Sequence, residues 1–285
     1  MIRLAVIGDP IEHSLSPVVH SAALEQLGIP FTYEKIKVKK NGLEAFFRYA
    51  AEKKIDGFNL TMPHKVDILP YLYEIDGEAE RFQSVNTVKV RDGKLYGYNT
   101  DAEGYKTALN MTGRRLKDSR VVILGAGGVV RTLALKAAFE EAASIQILNR
   151  TVLKAETIAS MVWQRTGMEV AVGELNDETL KTVCKNCDIL IQATPLGMQG
   201  IDQNFKQFAF LDALPKDALV SDLIYQPDRT LLLRMAEERG LATLNGLGML
   251  IFQALLADRI YTGAEFHMPG LYYNVLEAVH REIQT

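Results

Sequence analysis

Polar side chains that could do chemistry lie at the end of a predicted strand, residues 57–61, and just after it. Asn59 and Thr61 point to one face, because residues two apart on a strand share a face. Pro63 then starts a helix, and Lys65 lies in its first turn. The helix dipole disfavours a cation at this end, so Lys65 is a candidate functional residue. A solvated surface lysine is the alternative interpretation.

A carboxylate further along the chain is a candidate partner for this lysine. Asp101 fits the N-cap of a helix predicted over 102–110. It fits equally a pairing with Lys65 across a site. A lysine beside a carboxylate in a partly dry cleft can hold or transfer a proton during carbonyl reduction. Both interpretations of Asp101 are open on the sequence alone.

Two serines follow the first predicted strand. Ser16 precedes Pro17 and fits a helix N-cap, with proline in the first turn. This structural role leaves Ser14 without a function. Two hydroxyls just past a strand can also hold a polyhydroxy substrate, so the segment has two interpretations.

A glycine-rich turn opens the second half of the chain. The buried-strand pattern Val121-Val-Ile-Leu124 runs into Gly125-Ala126-Gly127-Gly128, and a helix is predicted next. Glycines let the backbone turn tightly and approach a pyrophosphate, and the helix N-terminus offers free N–H groups to that charge. A tight turn alone would explain the glycines, but the strand before and the helix after favour a dinucleotide site.

The next predicted strand indicates which dinucleotide the chain would use. It ends at Asn149-Arg150-Thr151, and Lys154 lies one turn further on. An enzyme that uses NAD usually places Asp or Glu here, to hold the ribose 2′-hydroxyl. Two cations with an amide and a hydroxyl suit a 2′-phosphate instead. A helix cap at Thr151 flanked by surface cations is the alternative, and the two signals together favour NADP over NAD.

The elements that must position these groups alternate along the chain. Short β-rich runs alternate with longer helical ones, which predicts βαβ units and a mostly parallel sheet, the α/β class. One hairpin interrupts the pattern at Asp92-Gly93, a favoured two-residue turn. The predicted strands are 2–7, 32–38, 57–61, 86–91, 94–99, 121–124, 145–148, 189–193 and 219–223. The predicted helices include 43–53, 129–141, 154–165 and 229–239.

Two strand–helix blocks predict two domains. The first comprises 1–101 together with 246–285, a helical segment that has no strand of its own and is expected to pack on the first block. The second comprises 102–245 and contains the glycine-rich turn. A cleft between two α/β blocks is a usual place for a ligand.

Composition excludes several classes of protein. The chain has 285 residues, 48% of them hydrophobic and 24% charged, which excludes a disordered, collagenous or coiled-coil chain. A net charge of −3 calls for neither nucleic acid nor a membrane surface as a partner. Two cysteines, Cys184 and Cys187, favour a reduced, cytoplasmic setting, and no targeting segment or membrane helix is predicted. They have no second pair to bind a metal, so they are expected to pack at a helix end.

An ordered set of motifs runs along the chain. It consists of His13-Ser-Leu-Ser-Pro17, Asn59-Leu-Thr-Met-Pro-His-Lys65, Val85-Asn-Thr87, Gly97-Tyr-Asn-Thr-Asp101, Gly125-Ala-Gly-Gly128, Asn149-Arg-Thr151, Ala193-Thr-Pro-Leu-Gly-Met198, Asp222-Leu-Ile-Tyr-Gln-Pro227, Gly246-Leu-Gly-Met-Leu250 and Gln253. Taken together, these motifs strongly resemble the shikimate dehydrogenase family over almost the whole chain.

The resemblance implies a reversible, NADPH-dependent reduction of 3-dehydroshikimate to shikimate, a step in chorismate and aromatic amino acid biosynthesis. It implies a substrate-binding α/β domain and a Rossmann-like, doubly wound dinucleotide-binding domain, in a monomer or homodimer. Lys65 and Asp101 would be the catalytic pair. The substrate would be bound by Ser14, Ser16, Asn59, Thr61, Asn86, Tyr225 and Gln253. NADP would be bound by Gly125, Ala126, Gly127, Gly128, Val129, Asn149, Arg150, Thr151, Lys154, Leu223 and Gly246, and no metal is expected.

Several positions depart from the family's pattern and leave alternatives open. Gln83 and Ala254 border the substrate side, where the family often has other residues. A related enzyme that prefers quinate, which has one more hydroxyl than shikimate, is therefore an alternative. A protein of another class, a non-catalytic sensor of NADP or shikimate, could keep the glycine-rich turn but would be expected to lose Lys65 and Asp101, and both are present.

Overall fold

The computed structural model describes residues 1–284. The chain divides into two compact units. The first is Met1–Gly104 together with the chain from Leu250 onward, and the second is Tyr105–Met249. Both units contain strands and helices in alternation, so the predicted α/β class is confirmed.

The first unit is built on a six-stranded sheet in the order β2-β1-β3-β5-β6-β4. Its strands are β1 (Ile2–Gly8), β2 (Phe31–Lys37), β3 (Gly57–Leu60), β4 (Glu74–Ile75), β5 (Thr87–Arg91) and β6 (Lys94–Tyr98). Its helices are α1 (Ser16–Gln26), α2 (Leu43–Lys53), α3 (His64–Asp67), α4 (Gly77–Phe82) and the start of α5 (Asp101–Met111). Strands β1, β2 and β3 are parallel, whereas β5 is antiparallel to both β3 and β6. Asp92 and Gly93 have φ values of 50° and 71°, as the predicted two-residue hairpin turn requires.

The second unit is built on a six-stranded sheet in which all strands are parallel, in the order β12-β11-β10-β7-β8-β9. Its strands are β7 (Arg120–Leu124), β8 (Ser144–Asn149), β9 (Val170–Glu174), β10 (Ile189–Gln192), β11 (Leu219–Asp222) and β12 (Ala242–Leu244). Its helices are α6 (Gly128–Phe139), α7 (Val152–Thr166), α8 (Asp177–Val183) and α9 (Leu231–Glu237). This is the doubly wound Rossmann order, and the direction of winding reverses between β7 and β10.

The last segment is helical, as predicted, and forms α10 (Gly246–Thr262) and α11 (Met268–Gln284). Alternation along the strands of the first unit gives its sheet two apolar faces. Ile7 and Phe58 face α2, where Phe46 is buried. On the opposite face, Leu4 packs against Leu24 of α1 and further residues of α10. Asn59 alternates with Phe58, and so it points to the face of α1 and α10.

The structure corrects two local predictions. Ser16 is the first residue of α1 rather than its N-cap, and the N-cap position, Leu15, makes no side-chain capping bond. Strands β4, β9 and β12 were not predicted, because they are short or half-exposed edge strands with little apolar alternation.

Cys184 and Cys187 are free thiols buried in the core of the second unit, as expected of packing residues. Burial raises the pKa of Cys184 to about 12 and raises that of Cys187 further. Over residues 1–284, no group of three or more His, Cys, Asp or Glu side chains is arranged to bind a metal ion. Within the same residues, no helix combines the length and apolar character that a membrane crossing needs.

Candidate active site

Lys65 and Asp101 form a close ion pair. Lys65 lies in α3 and Asp101 is the first residue of α5, and the lysine Nζ donates to Asp101 Oδ2 at 2.6 Å. The two side chains are 31% and 10% exposed. The helix begins one residue earlier than predicted, and the Asp101 N–H donates to Asn99 Oδ1. Of the two interpretations of Asp101, the structure therefore supports the pairing with Lys65.

Asn86 joins this pair to residues from two other elements. Its Nδ2 lies 2.9 Å from Asp101 Oδ1, 2.9 Å from Thr100 Oγ1 and 3.3 Å from Gln253 Oε1. Its Oδ1 accepts from the Thr100 N–H at 2.9 Å. Asn86 is buried, and Gln253 reaches it from α10. Both oxygens of Asp101 are thus held by named donors, which fixes the plane of the carboxylate.

Asn59 extends the same network along the sheet. Its Nδ2 donates to Thr87 Oγ1 at 3.1 Å, and Thr87 Oγ1 donates to Asn86 Oδ1 at 3.1 Å. Thr61 lies just past β3, and its methyl group fills the space beside Gly8, where an added Cβ would come within 2.3 Å. Asn59, Asn86 and Gln253 therefore join the ion pair in one network.

The two serines are bonded to each other. Ser14 Oγ donates to Ser16 Oγ at 3.1 Å, and the Ser16 N–H donates to Ser14 Oγ at 3.3 Å. Both residues are half-buried. Tyr225 lies in the second unit, after β11, and burial raises the pKa of its phenol.

Within the glycine-rich turn, the fold itself requires only Gly125. Gly125 has φ of 113°, and an added Cβ would lie 2.9 Å from the Ala193 carbonyl oxygen. Gly127 and Gly128 are exposed, and a Cβ on either would meet nothing within 4 Å. Ala126 and Val129 are half-buried. The turn lies at the point where the sheet reverses its winding, which is where open α/β sheets bind ligands.

The predicted 2′-phosphate residues follow the neighbouring strand. Leu124 of β7 pairs with Leu148 of β8, so the glycine-rich turn and Asn149 leave the sheet at the same edge. Asn149 Nδ2 donates to the carbonyl oxygen of Thr151 at 2.9 Å. Arg150, Thr151 and Lys154 are exposed. Thr151 is the N-cap residue of α7 but makes no side-chain capping bond, which leaves its hydroxyl available.

Leu223 and Gly246 lie against each other in the second unit. The Gly246 N–H donates to the Ile224 carbonyl at 3.1 Å, and a Cβ on Gly246 would lie 2.2 Å from the Leu223 carbonyl oxygen. No residue other than glycine fits this position without moving the backbone.

His64 has a structural role. It is fully buried, and its Nε2 donates to the Val38 carbonyl at 2.6 Å. His13 is exposed.

Three residues that lie beside the network, Tyr33, His20 and Asp258, were missed by sequence reasoning. Tyr33 donates its phenol to Asn59 at 2.7 Å, and the buried ring of His20 stacks on the Tyr33 ring and pairs with Asp258. Tyr33 and Asn59 are 26 residues apart, and His20 and Asp258 are 238 apart. No local spacing links residues so distant in sequence, so only the tertiary structure reveals these contacts.

The fold is therefore that of a two-domain α/β protein, in which a Rossmann-like doubly wound unit follows an α/β unit of the substrate-binding type. The model for the shikimate dehydrogenase substrate binding domain matches residues 6–88, and the model for shikimate / quinate 5-dehydrogenase matches residues 106–203. The chain belongs to the shikimate dehydrogenase family, as the motifs predicted.

Relatives of known identity resemble it along most of their length. A shikimate dehydrogenase (NADP(+)) from Methanopyrus kandleri is 38% identical over 275 residues, which cover 96% of this chain and 94% of the relative. A crystal structure of a shikimate dehydrogenase in complex with NADP+ has a TM-score of 0.86 at 37% identity, covering 97% of this chain and 95% of that one. The Thermus thermophilus shikimate 5-dehydrogenase, in complex with NADP(H) and shikimate, has a TM-score of 0.82 at 32% identity, covering 98% and 100%.

Proposed function

We propose that this chain is an NADP-dependent oxidoreductase that interconverts 3-dehydroshikimate and shikimate. The observation that carries the proposal is the Lys65–Asp101 ion pair, held at 2.6 Å in a mostly buried network of amides and hydroxyls. The Methanopyrus kandleri relative is a shikimate dehydrogenase (NADP(+)). Of the two similar solved structures, one contains NADP+ and the other contains NADP(H) together with shikimate.

Lys65 is the group that handles the proton. An ammonium has three N–H donors, and the bond to Asp101 uses one of them. The remaining donors can reach a substrate oxygen, so Lys65 donates a proton to the carbonyl oxygen during reduction and takes it back during oxidation. Asp101 orients the ammonium and, because Asn86 holds its second oxygen, keeps that orientation through the reaction.

The other polar residues bind the substrate. Shikimate carries three hydroxyls and a carboxylate, and these groups need several donors and acceptors in fixed places. The hydroxyl and amide side chains proposed for this role are those of Ser14, Ser16, Asn59, Thr61, Asn86, Tyr225 and Gln253. The proposed substrate-binding domain is 1–101 with 246–285, and the proposed NADP-binding domain is 102–245.

The second unit has the groups that NADP requires. Open space above Gly127 and Gly128 and the N-terminus of α6 suit a pyrophosphate. Exposed Arg150 and Lys154, with Asn149 and Thr151, suit a 2′-phosphate. The remaining proposed contacts are Gly125, Ala126, Val129, Leu223 and Gly246. When bound, NADPH supplies the hydride that reduces the ketone carbon.

Initial rates followed by nicotinamide absorbance test the proposal. Shikimate and quinate are each assayed with NADP+ and with NAD+. Preference for shikimate with NADP+ is the expected result. Preference for quinate would leave the assignment of the catalytic pair intact but would show that shikimate is the wrong substrate. Gln83 and Ala254 would then be the first residues to exchange. Binding of NADP+ without turnover of either substrate would overturn the enzymatic role and favour a sensor.

A further inference from the structure

Tyr33 reaches the active-site network from the edge of the sheet. Strand β2 is an edge strand of the first unit, and Tyr33 pairs in register with Leu4 of β1. Its phenol lies 2.7 Å from Oδ1 of Asn59, which is itself buried. Tyr33 therefore contacts a proposed substrate-binding side chain from two strands away in the sheet.

The phenol sets the orientation of the Asn59 amide. The Tyr33 phenol donates to Asn59 Oδ1, and the Asn59 Nδ2 on the other side of the amide donates to Thr87 Oγ1 at 3.1 Å. The next donations run from Thr87 to Asn86 and from Asn86 to Asp101. Because a carboxylate only accepts, every bond in this series points toward Asp101, and aligned bonds of this kind strengthen one another.

The buried pair of His20 and Asp258 holds Tyr33 in place, and burial raises the pKa of its phenol. The His20 ring stacks on the Tyr33 ring at 4.5 Å with 17° between the planes. His20 Nδ1 lies 2.6 Å from Asp258 Oδ1, and both side chains are completely buried. Burial and the negative charge of Asp258 raise the pKa of Tyr33 well above its ordinary value, whereas a hydrogen bond with Ser16 opposes that rise. The phenol therefore keeps the proton that it donates to Asn59.

We propose that Tyr33 is a positioning residue, which acts through Asn59 to orient the substrate-binding amide and, through Thr87 and Asn86, the carboxylate of Asp101. The inference rests on the proposed function, because it names a further residue for the same reaction. Tyr33 itself makes no contact with substrate or cofactor in this role. Its loss therefore lowers kcat/KM for shikimate and leaves the KM for NADP+ unchanged.

Tyr33→Phe tests the inference, since it removes the hydroxyl and keeps the ring that stacks on His20. We expect kcat/KM for shikimate to fall on the order of 10-fold, because a misplaced binding group weakens the aligned state. The KM for NADP+ stays within about 2-fold, a split that a general loss of folded protein would not give. Tyr49→Phe is the matched control, because the Tyr49 phenol donates to the exposed Glu34, at 3.3 Å, and we expect no change. Equal losses for shikimate and NADP+ would overturn the inference.

A double-mutant cycle tests whether Tyr33 acts through Asn59. In an Asn59→Ala background, Tyr33→Phe should lower kcat/KM for shikimate by less than about 2-fold more, since Asn59 is gone and the bond with Ser16 is what the phenol still has to lose. Independent, multiplying losses would overturn the inference. Thr87→Val interrupts the same series one step further on, and it carries the test if Tyr33→Phe fails to fold. It too should lower kcat/KM for shikimate and leave KM for NADP+ unchanged.

A measurement without turnover separates this inference from the proposed function. The side-chain amide resonances of Asn59 are followed by NMR in the wild type, in Tyr33→Phe and in Tyr49→Phe. A shift in Tyr33→Phe alone supports the positioning of Asn59, even if the wild type fails to oxidise shikimate and the proposed function is overturned. Unchanged Asn59 resonances in Tyr33→Phe overturn the inference, even if the wild type is an active shikimate dehydrogenase.

Discussion

In the first unit the candidate residues hold one another, whereas in the second unit the cationic candidates are exposed. Asp101 is bonded on both oxygens, by Lys65 at 2.6 Å and by Asn86 at 2.9 Å. Arg150 and Lys154, by contrast, extend from the start of α7 into solvent. The two groups of residues therefore differ in how much of their geometry the folded chain fixes.

The difference follows from the two tasks. Proton transfer depends on a fixed geometry and on a partly dry environment, where electrostatic interactions are strong. Recognition of a phosphate needs cations that are accessible to the anion and can lose their hydration water. Salt and solvent weaken the electrostatic attraction of each such exposed cation. Substitutions in the first network should therefore change kcat, whereas substitutions among the exposed cations should change the KM of the cofactor.

Lys65→Ala should give the largest effect. We expect kcat for shikimate oxidation to fall by about 10³-fold, which is the usual contribution of a general acid–base group. The Kd of NADP+, measured by titration calorimetry, should stay within about 2-fold, because the proposed cofactor residues lie in the other unit. The exposed Lys40→Ala variant is the control for loss of a positive charge. If NADP+ binding fell along with kcat, Lys65 would be a folding residue and the contrast between the units would fail.

Gly125→Ala should be the next largest effect, and it concerns stability. A residue with φ of 113° is strained with any side chain, and the new Cβ would meet the Ala193 carbonyl oxygen at 2.9 Å. We expect the free energy of unfolding to fall by about 2–3 kcal/mol. Fluorescence of the single tryptophan, Trp163 of α7, reports unfolding of this unit in urea.

Gly128→Ala is the matched control for this change. Its Cβ meets nothing within 4 Å, and alanine favours a helix more than glycine does, so stability should be unchanged or rise by up to about 1 kcal/mol. Equal losses in the two variants would show that the whole turn, rather than Gly125 alone, is sterically constrained.

Sequence patterns predicted what depends on neighbours along the chain. The helix at Leu43–Lys53 and the hairpin turn at Asp92-Gly93 follow from local periodicity and from the turn preferences of glycine and aspartate. The Lys65–Asp101 pair was one of two interpretations, because its members are 36 residues apart and each also fits a local role. Tyr33 was missed, since a half-buried tyrosine on an edge strand looks like a packing residue until the third strand brings Asn59 to its phenol.

Arg150→Ala tests whether an exposed cation of the second unit recognises the 2′-phosphate of the cofactor. Loss of a charge-assisted contact to a 2′-phosphate should raise the KM of NADP+ by about 10–30-fold. The KM of NAD+, which has no such phosphate, should change by less than about 2-fold. Initial rates with both cofactors measure this, and the exposed Lys181→Ala is the control for loss of a cation in the same unit. If both cofactors lost affinity alike, the assignment of Arg150 to the 2′-phosphate would be wrong.

The smallest expected effect is on the pH dependence of stability and concerns Asp222. This buried carboxylate of the second unit can be compared with Asp101 of the first. Asp101 is paired with a lysine, whereas Asp222 has neutral donors, Thr230 Oγ1 at 2.7 Å and the Ile224 N–H at 3.0 Å. Burial raises the pKa of Asp222 to about 6, whereas the carboxyl of an unfolded chain has a pKa of about 3.9.

Because the folded chain then binds this proton more tightly than the unfolded chain, ionisation of Asp222 destabilises the fold as the pH rises through about 4 to 6. Between pH 5 and pH 7 the group should lower the free energy of unfolding by about 1.4 kcal/mol. Asp222→Asn removes this titration, so its stability relative to the wild type should rise by that amount over the same interval, measured by urea unfolding with Trp163 fluorescence. A stability difference that stays constant with pH would mean that Asp222 is already ionised in the fold at pH 5, held in its buried site by two neutral hydrogen-bond donors.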